Sequence, residues 1–344
     1  MSLQVVVPTW SGSVAWLPAC LDALAAQTVP VQAIVVIDGP APAVEALVRQ
    51  RLGAARVVRR REREGFAAAA SAGLRAAKGD LVALLNDDAV PDPGWLEALR
   101  DGARRHPNAG SFASRVLRSE DPSTLDSAGH GLTRWGEAFA LGAGAPDGSP
   151  WDVERPVFGA PATAAAYRQD LLRDCGSFDL GMGAYLEDVD LSLRAQLMGF
   201  PCQYLPSAVV QHRGSASYGD DSLRLAARNR WRLLGRSMPR NLLRAGLPAA
   251  MASAAMHGLR SPVAAAGTVE GLRGFGEAMA DRGQTLGPRR VDDEHMTELL
   301  RQCEADLQAT CAAGSSARRL RGGACRALAW SVDARQRSLT KRGW

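Results

Sequence analysis

Lysine is nearly absent from this 344-residue chain: of its 41 basic residues only Lys78 and Lys341 are lysine. A nucleotidyltransferase-type phosphate loop wants glycine and lysine soon after the first strand, and Thr9-Trp-Ser-Gly-Ser13 has no lysine. The same stretch lacks G-x-G-x-x-G, which argues against a dinucleotide-dependent dehydrogenase. The six cysteines (Cys20, Cys175, Cys202, Cys303, Cys311, Cys325) include no C-x-x-C pair. That disfavours a zinc site or a disulfide scaffold and fits a reduced, cytoplasmic protein. No apolar run reaches the ~20 residues of a spanning helix. The opening residues, Met1 to Pro8, have no basic region ahead of a long apolar stretch, so no signal peptide is expected. Internal repeats are lacking too. The net charge of +5 is too mild to point to nucleic acid.

What is present has the length and the 46% hydrophobic content for one large domain or two ordinary ones. Strand-like runs at 3–7, 33–37, 56–58 and 81–85 alternate with helical spacing at 14–27, around Val44, Leu47 and Val48, and at 66–77. This alternation predicts βαβ units and a mostly parallel sheet flanked by helices. The strands end in polar residues, Thr9, Asp38, Asp87 and Asp88, where open α/β sheets bind ligands. Residues 108–165 read as strands and loops. Helices are expected at 168–176 and 187–199, and strands at 202–205 and 208–211. From Leu223 the character changes to a basic amphipathic helix up to Met238, apolar small-residue stretches at 245–256 and 262–269, a linker at 286–294 and a helix at 295–310. The tail from Gly314 reads as loosely ordered. Between Arg213 and Arg260 nine arginines face two acids, Asp220 and Asp221, so the charge is local.

Four clusters bear chemistry, each with a bland alternative. Asn86-Asp87-Asp88 ends a buried strand; paired carboxylates there suit a divalent cation, whereas Asn, Asp and Pro also build turns. Glu187-Asp188-Val-Asp190 either supplies a general base or caps a helix with acids. His212, just past a β-branched strand, is a metal ligand or a structural hydrogen-bonder. Gly65-Phe66 opens an alanine-rich helix as a phosphate or sugar contact, or simply as a turn.

Their order along the chain resembles the family 2 glycosyltransferases with the GT-A fold: Pro8-Thr9, Asp38, Gly65-Phe66, Asn86-Asp87-Asp88, Glu187-Asp188, then His212. The resemblance spans about residues 3–240 and sharpens between Phe158 and Arg213. There, and in Arg228-Asn229-Arg230 with the helices after it, the chain looks like the branch of rhamnosyl- and galactofuranosyltransferases. It implies a GT-A catalytic domain over 1–240 and a helical annex over 241–344. Pro8, Thr9, Asp38, Gly65, Phe66, Asn86 and Asp87 would face the nucleotide sugar. Asp88 and His212 would hold Mn²⁺ or Mg²⁺. Asp188 would be the catalytic base, with Glu187 at the acceptor.

The implied reaction is inverting transfer from dTDP-rhamnose or a UDP-sugar to a glycan or polyprenyl-linked acceptor, in cell-envelope polysaccharide synthesis. Residues 213–260 would touch an anionic membrane surface on its inner face, or form a solvated or dimerising annex. The chain departs from the family pattern at Asn86, at Gly39-Pro40 and at Glu64 and Ser71. A non-catalytic sugar-binding module on the same fold is the alternative from another class; Asp88 and Asp188 are both present, which speaks against it.

Overall fold

Continuous β-branched and leucine runs build the centre of the sheet. β1 (Leu3–Thr9), β2 (Ala33–Ile37), β3 (Arg56–Arg59) and β4 (Leu81–Leu85) lie parallel in the order β3-β2-β1-β4. The protein is described from a computed structural model over residues 1–214, 219, 221–285, 289–312, 327–329, 331–333, 335 and 336. The expected tail from Gly314 to Arg326 and part of the expected linker, 286–288, lie outside the described residues.

One face of β1 and β2 packs Val5, Val7, Val35 and Ile37 against α1 (Leu17–Ala25) and α2 (Pro42–Arg51), through Leu17, Leu21, Leu24, Val44 and Val48. On the other face lies α3 (Phe66–Ala76), whose Ala67, Ala68, Ala69 and Ala70 are buried. Its small side chains follow from its closeness to the sheet: a Cβ on Gly73 would meet Val6 Cγ1 at 2.2 Å. Large residues here would overpack the core.

Beyond β4 the sheet is mixed. β11 (Ala164–Arg168) is antiparallel to β4 and to β6 (Ser111–Arg118), and β12 (Cys202–His212) runs parallel to β6. Short β5 (Ala89–Pro91) and β10 (Arg155–Val157) are antiparallel to β12, and β7 (Leu125–Ser127) is antiparallel to β6. The two strands expected at 202–205 and 208–211 are one. A register shift between Leu205 and Val209 lets β12 continue through Pro206, a position that a bulge tolerates. Helix α4 (Trp95–Arg105) follows the acidic turn and buries Trp95, Leu96, Leu99 and Ala103. Two further helices, α5 (Gln169–Cys175) and α6 (Glu187–Leu197), occupy the ranges expected to be helical.

Contacts divide the chain into two compact units: residues 1–129, 142–195 and 200–217 form the first, and 130–141, 196–199 and 218–344 the second. In the second, β8 (His130–Leu132) pairs with β9 (Ala138–Ala140), and the helices α7 (Asp221–Arg236), α8 (Arg240–Arg260), α9 (Pro262–Arg273), α10 (Phe275–Thr285) and α11 (Asp293–Ala312) follow.

Many of the arginines here are structural. Arg134 and Glu304 form a buried two-pronged pair, with Nε–Oε1 at 2.9 Å and Nη2–Oε2 at 2.6 Å. Arg230 donates to the carbonyls of Trp135 and Ala250, and burial pulls its guanidinium down to about 10. Arg282 donates to the last-turn carbonyls of α7, Leu234 O and Gly235 O, as suits a cation at a helix C-terminus. Arg224 pairs with Asp221 and Glu270, and Arg232 with Asp281. The basic count of residues 213–260 is thus spent partly inside the unit. No described helix is long and apolar enough to cross a membrane.

Candidate active site

At the carboxyl ends of β1, β2 and β4 the chain has to turn, and polar side chains bond the turns together. Asp38 follows β2, and its amide donates to Thr9 O at 2.8 Å, tying it to the end of β1. Its buried carboxylate accepts from Arg60 Nε (2.9 Å) and from the amides of Glu64 and Gly65, the latter at 2.8 Å. Asp38 therefore anchors the 60–65 loop. Gly65, at φ 94°, adopts a conformation that glycine tolerates, and the α3 amide of Ala67 donates to Gly183 O at 2.7 Å. Phe66 lies 6.2 Å from Phe178, ring to ring. Arg63 stacks on Trp10, 3.6 Å from the ring centre.

The two aspartates after β4 part company. Asp87 is buried; Ser13 Oγ donates to its Oδ2 and Trp16 Nε1 to its Oδ1 at 3.2 Å. Burial pushes its carboxyl up to about 6, against the hydrogen bonds from Ser13 and its neighbours. Asp87 thus holds the short helical turn Ser11–Ala15 to the sheet. Asp88 turns the other way. The antiparallel register of β5 with β12 sets Ala89 opposite His212, so Asp88 Oδ1 comes within 3.4 Å of His212 Nε2. The other ring nitrogen, Nδ1, lies 2.8 Å from Asp126 Oδ2. Burial alone would pull the His212 imidazole down, but Asp126 and Asp88 outweigh it and raise it to about 9.

A single loop ties this turn to the second acidic cluster. Asn86 N donates to Thr163 O (2.9 Å), and Ala162 N donates to Asp188 Oδ2 (2.9 Å). The helix bearing Glu187 and Asp188 is entered through Tyr185 and Leu186, at φ 69° and 67°. Two bulky residues in the left-handed region are strained, by roughly 1–3 kcal/mol each, a cost usually seen at functional sites.

The three acids of α6 then differ. Asp190 is fully buried and paired with Arg194, which also donates to Ser177 O at 3.0 Å, so it is structural. Glu187 is buried, its Oε2 has no hydrogen-bond partner, and burial together with the nearby Asp188 holds its carboxyl well above the usual range. Asp188 is half-buried, and the amides of Ala162 and Val189 (2.8 Å) fix its plane. Of the three, it is the least buried.

Asp88 and His212 fit a divalent metal. Asp88 Oδ1 and His212 Nε2, 3.4 Å apart, are a carboxylate oxygen and an imidazole nitrogen that one cation would take together. Among the described residues no three or more His, Cys, Asp or Glu side chains cluster as a closed metal cage. Two protein ligands, with phosphate and water completing the shell, are the arrangement such cations take in phosphate-handling sites. The Asn86 side-chain oxygen, buried without a partner, adds a vacant acceptor at the same turn.

Pro8, Thr9, Asp38, Asn86, Asp87 and Asp88 thus sit at neighbouring strand ends, His212 joins Asp88, and Glu187-Asp188 is linked to them through 162–163. Three residues at the site went unmarked in the sequence. Trp16 lies in a segment that reads as helix, Ser13 in the turn just before it, and Asp126 in a stretch without periodicity.

A model of the family described as Glycosyl transferase family 2 matches residues 4–175. Two Mycobacterium tuberculosis proteins are 34% identical to the chain. One is an N-acetylglucosaminyl-diphospho-decaprenol L-rhamnosyltransferase, aligned over 154 residues, 41% of this chain and 50% of the relative. The other is a pre-mycofactocin glycosyltransferase, aligned over 152 residues, 43% of this chain and 30% of the relative. The chain thus spans half or less of the length of these curated relatives. Among solved structures, a mannosyltransferase from Pyrobaculum calidifontis in complex with GDP-Man and Mn²⁺ matches with a TM-score of 0.50 at 19% identity, covering 100% of this chain and 87% of that one. At that identity the likeness speaks for the fold alone.

Proposed function

We propose, from the premise that this chain belongs to glycosyl transferase family 2, that it moves a sugar from a nucleoside-diphosphate donor to a hydroxyl of a glycan or polyprenyl-linked acceptor, inverting the anomeric centre. The observation that carries the reading is the linkage of the Asp88–His212 pair to Asp188 through Ala162 and Thr163. Asp88 and His212 would hold Mn²⁺ or Mg²⁺ against the donor diphosphate. When bound, the cation supplies positive charge that improves the diphosphate as a leaving group. Asp188 takes the proton from the acceptor hydroxyl as it attacks, and Glu187 hydrogen-bonds the acceptor. Pro8, Thr9, Asp38, Gly65, Phe66, Asn86 and Asp87 shape the nucleotide side, several of them by holding the turns in place. One base and no enzyme nucleophile suffice for a single displacement, hence inversion.

For the donor, dTDP-rhamnose comes ahead of UDP-sugars, supported by the name of the mycobacterial rhamnosyltransferase and by its 34% identity. That name also supports a polyprenyl-diphosphate-linked acceptor. Thermal denaturation with Mn²⁺ and dTDP-rhamnose, UDP-galactofuranose, UDP-N-acetylglucosamine or GDP-mannose tests the donor reading. One donor at 100 times its Kd should add about 2.7 kcal/mol of stability, visible as a rise in Tm of a few degrees. No shift with any sugar nucleotide, with or without Mn²⁺, would contradict it.

An acceptor of this kind is confined to a bilayer, so peripheral membrane contact belongs to the proposal. Its support within residues 213–260 lies at the end of α8, where Leu259 is 90% exposed beside the exposed Arg260. On α9, Val263, Val269, Leu272 and Arg273 are exposed as well. Apolar side chains framed by arginine suit an anionic lipid surface. The full chain should float with vesicles containing anionic lipid, and Leu259→Glu should weaken that binding several-fold. Absence of the wild-type chain from anionic and neutral vesicles alike would count against it.

A further inference from the structure

Asp126 is not among the residues that bear the proposed chemistry, yet its geometry ties it to them. β7 pairs with β6 through Val116↔Ser127 and Leu117↔Leu125, so consecutive residues of β6 oppose residues two apart on β7. Asp126 is the extra residue of a β-bulge. Bulges interrupt pairing and re-aim a side chain, and they recur beside active sites. This one sends the Asp126 carboxylate to His212 Nδ1, at 2.8 Å, on the far side of the imidazole from Asp88. The second irregularity, between Leu205 and Val209 in β12, lies just upstream on the strand that carries His212. Both elements that bring the pair together thus depart from regular pairing.

We infer that Asp126 is a positioning residue: by accepting a hydrogen bond from Nδ1–H it fixes the ring of His212 with the Nε2 lone pair directed at the metal position beside Asp88. The inference rests on the metal reading of Asp88 and His212 given above. A carboxylate behind a ligating histidine sets the tautomer, restrains ring rotation and raises the basicity of the ligating nitrogen. Losing such a partner typically weakens metal binding about 10–100-fold. Asp126 touches neither the proposed donor nor the acceptor directly, so its effect should appear in the metal and not in the proton transfer from the acceptor.

The test measures Mn²⁺ affinity of the full chain, without substrate, by electron paramagnetic resonance, with ¹⁴N couplings read by electron–nuclear double resonance. The wild type should show an imidazole nitrogen on Mn²⁺. Asp126→Ala should weaken binding about 10–100-fold and diminish the nitrogen coupling. Asp126→Asn, whose side-chain oxygen still accepts from Nδ1–H, should recover much of both. If Asp126→Ala keeps wild-type affinity and coupling while His212→Ala loses them, the role given to Asp126 is overturned and the metal reading stands. If His212→Ala also binds as the wild type does, the metal reading falls and the role of Asp126 falls with it. Thermal denaturation of each variant separates these outcomes from unfolding, because a folded Asp126→Ala protein with weakened Mn²⁺ binding supports positioning and not stability.

Discussion

Asp188→Asn should lower kcat for sugar transfer by about 10²–10⁴-fold, the range a positioned general base contributes. The substitution keeps volume and removes the proton acceptor. It also costs one hydrogen bond, because both carboxylate oxygens accept backbone amides, from Ala162 and Val189, and an asparagine amide can accept on one side only. A loss of about 1–2 kcal/mol in stability is therefore expected alongside the kinetic effect, and a folded protein should remain. The diagnostic is the split between parameters: the donor KM should stay near wild type while kcat collapses, because the proposed mechanism sets Asp188 against the acceptor and not the diphosphate. Glu187 provides the internal comparison. Burial and the nearby Asp188 push its carboxyl well above the usual range, so Glu187→Gln, which keeps its size and supplies a hydrogen-bond donor, should cost far less than Asp188→Asn. Equal losses from the two variants, or near-wild-type turnover by a folded Asp188→Asn protein, would remove Asp188 from the role of base.

The second large effect falls on Asp88. Asp88→Ala should reduce transfer by about 10³-fold, equivalent to the several kcal/mol that a Lewis-acid cation supplies to a developing diphosphate charge. Here the loss should appear in donor binding as well as in kcat. Chelation of the wild-type protein should reproduce it, and added Mn²⁺ or Mg²⁺ should restore the wild type but not the variant. Asp87→Ala should behave differently although it is the adjacent residue. Asp87 is closed in by Ser13 and Trp16, so its loss releases the Ser11–Ala15 turn and should register first as lowered stability. Full activity of the wild type in chelator would sink the metal-dependent step.

The contrast between these two aspartates shows what was legible in the sequence. β1 to β4 were readable because each holds a short run of β-branched or leucine residues, and stretches of helical spacing lie between them. That pattern also placed Thr9, Asp38, Asp87 and Asp88 at strand ends. It could not say that Asp87 points into the protein and Asp88 toward His212, because that depends on β5 pairing with a strand more than a hundred residues away. α4 was hidden behind Asp92-Pro93-Gly94, whose turn chemistry is real but only opens the helix. β12 was split at Pro206, where a bulge carries it through.

The arginine surplus of residues 213–260 was visible as a number. Its use was not: Arg230 and Arg232 are engaged within the helical unit, whereas Arg260 stands exposed next to Leu259. Asp126 left no signal at all, since a single bulged residue on a three-residue strand has no periodicity to read.

The most direct measurement follows the donor itself. The full chain, Mn²⁺, the sugar nucleotide that raises Tm most and a polyprenyl-diphosphate-linked acceptor are incubated, and nucleoside diphosphate and glycoside are counted together. The expected result is one nucleoside diphosphate per glycoside formed, with the anomeric centre inverted in the product. Release of inorganic diphosphate, or donor bound and never consumed with acceptor present, would contradict glycosyl transfer by this chain.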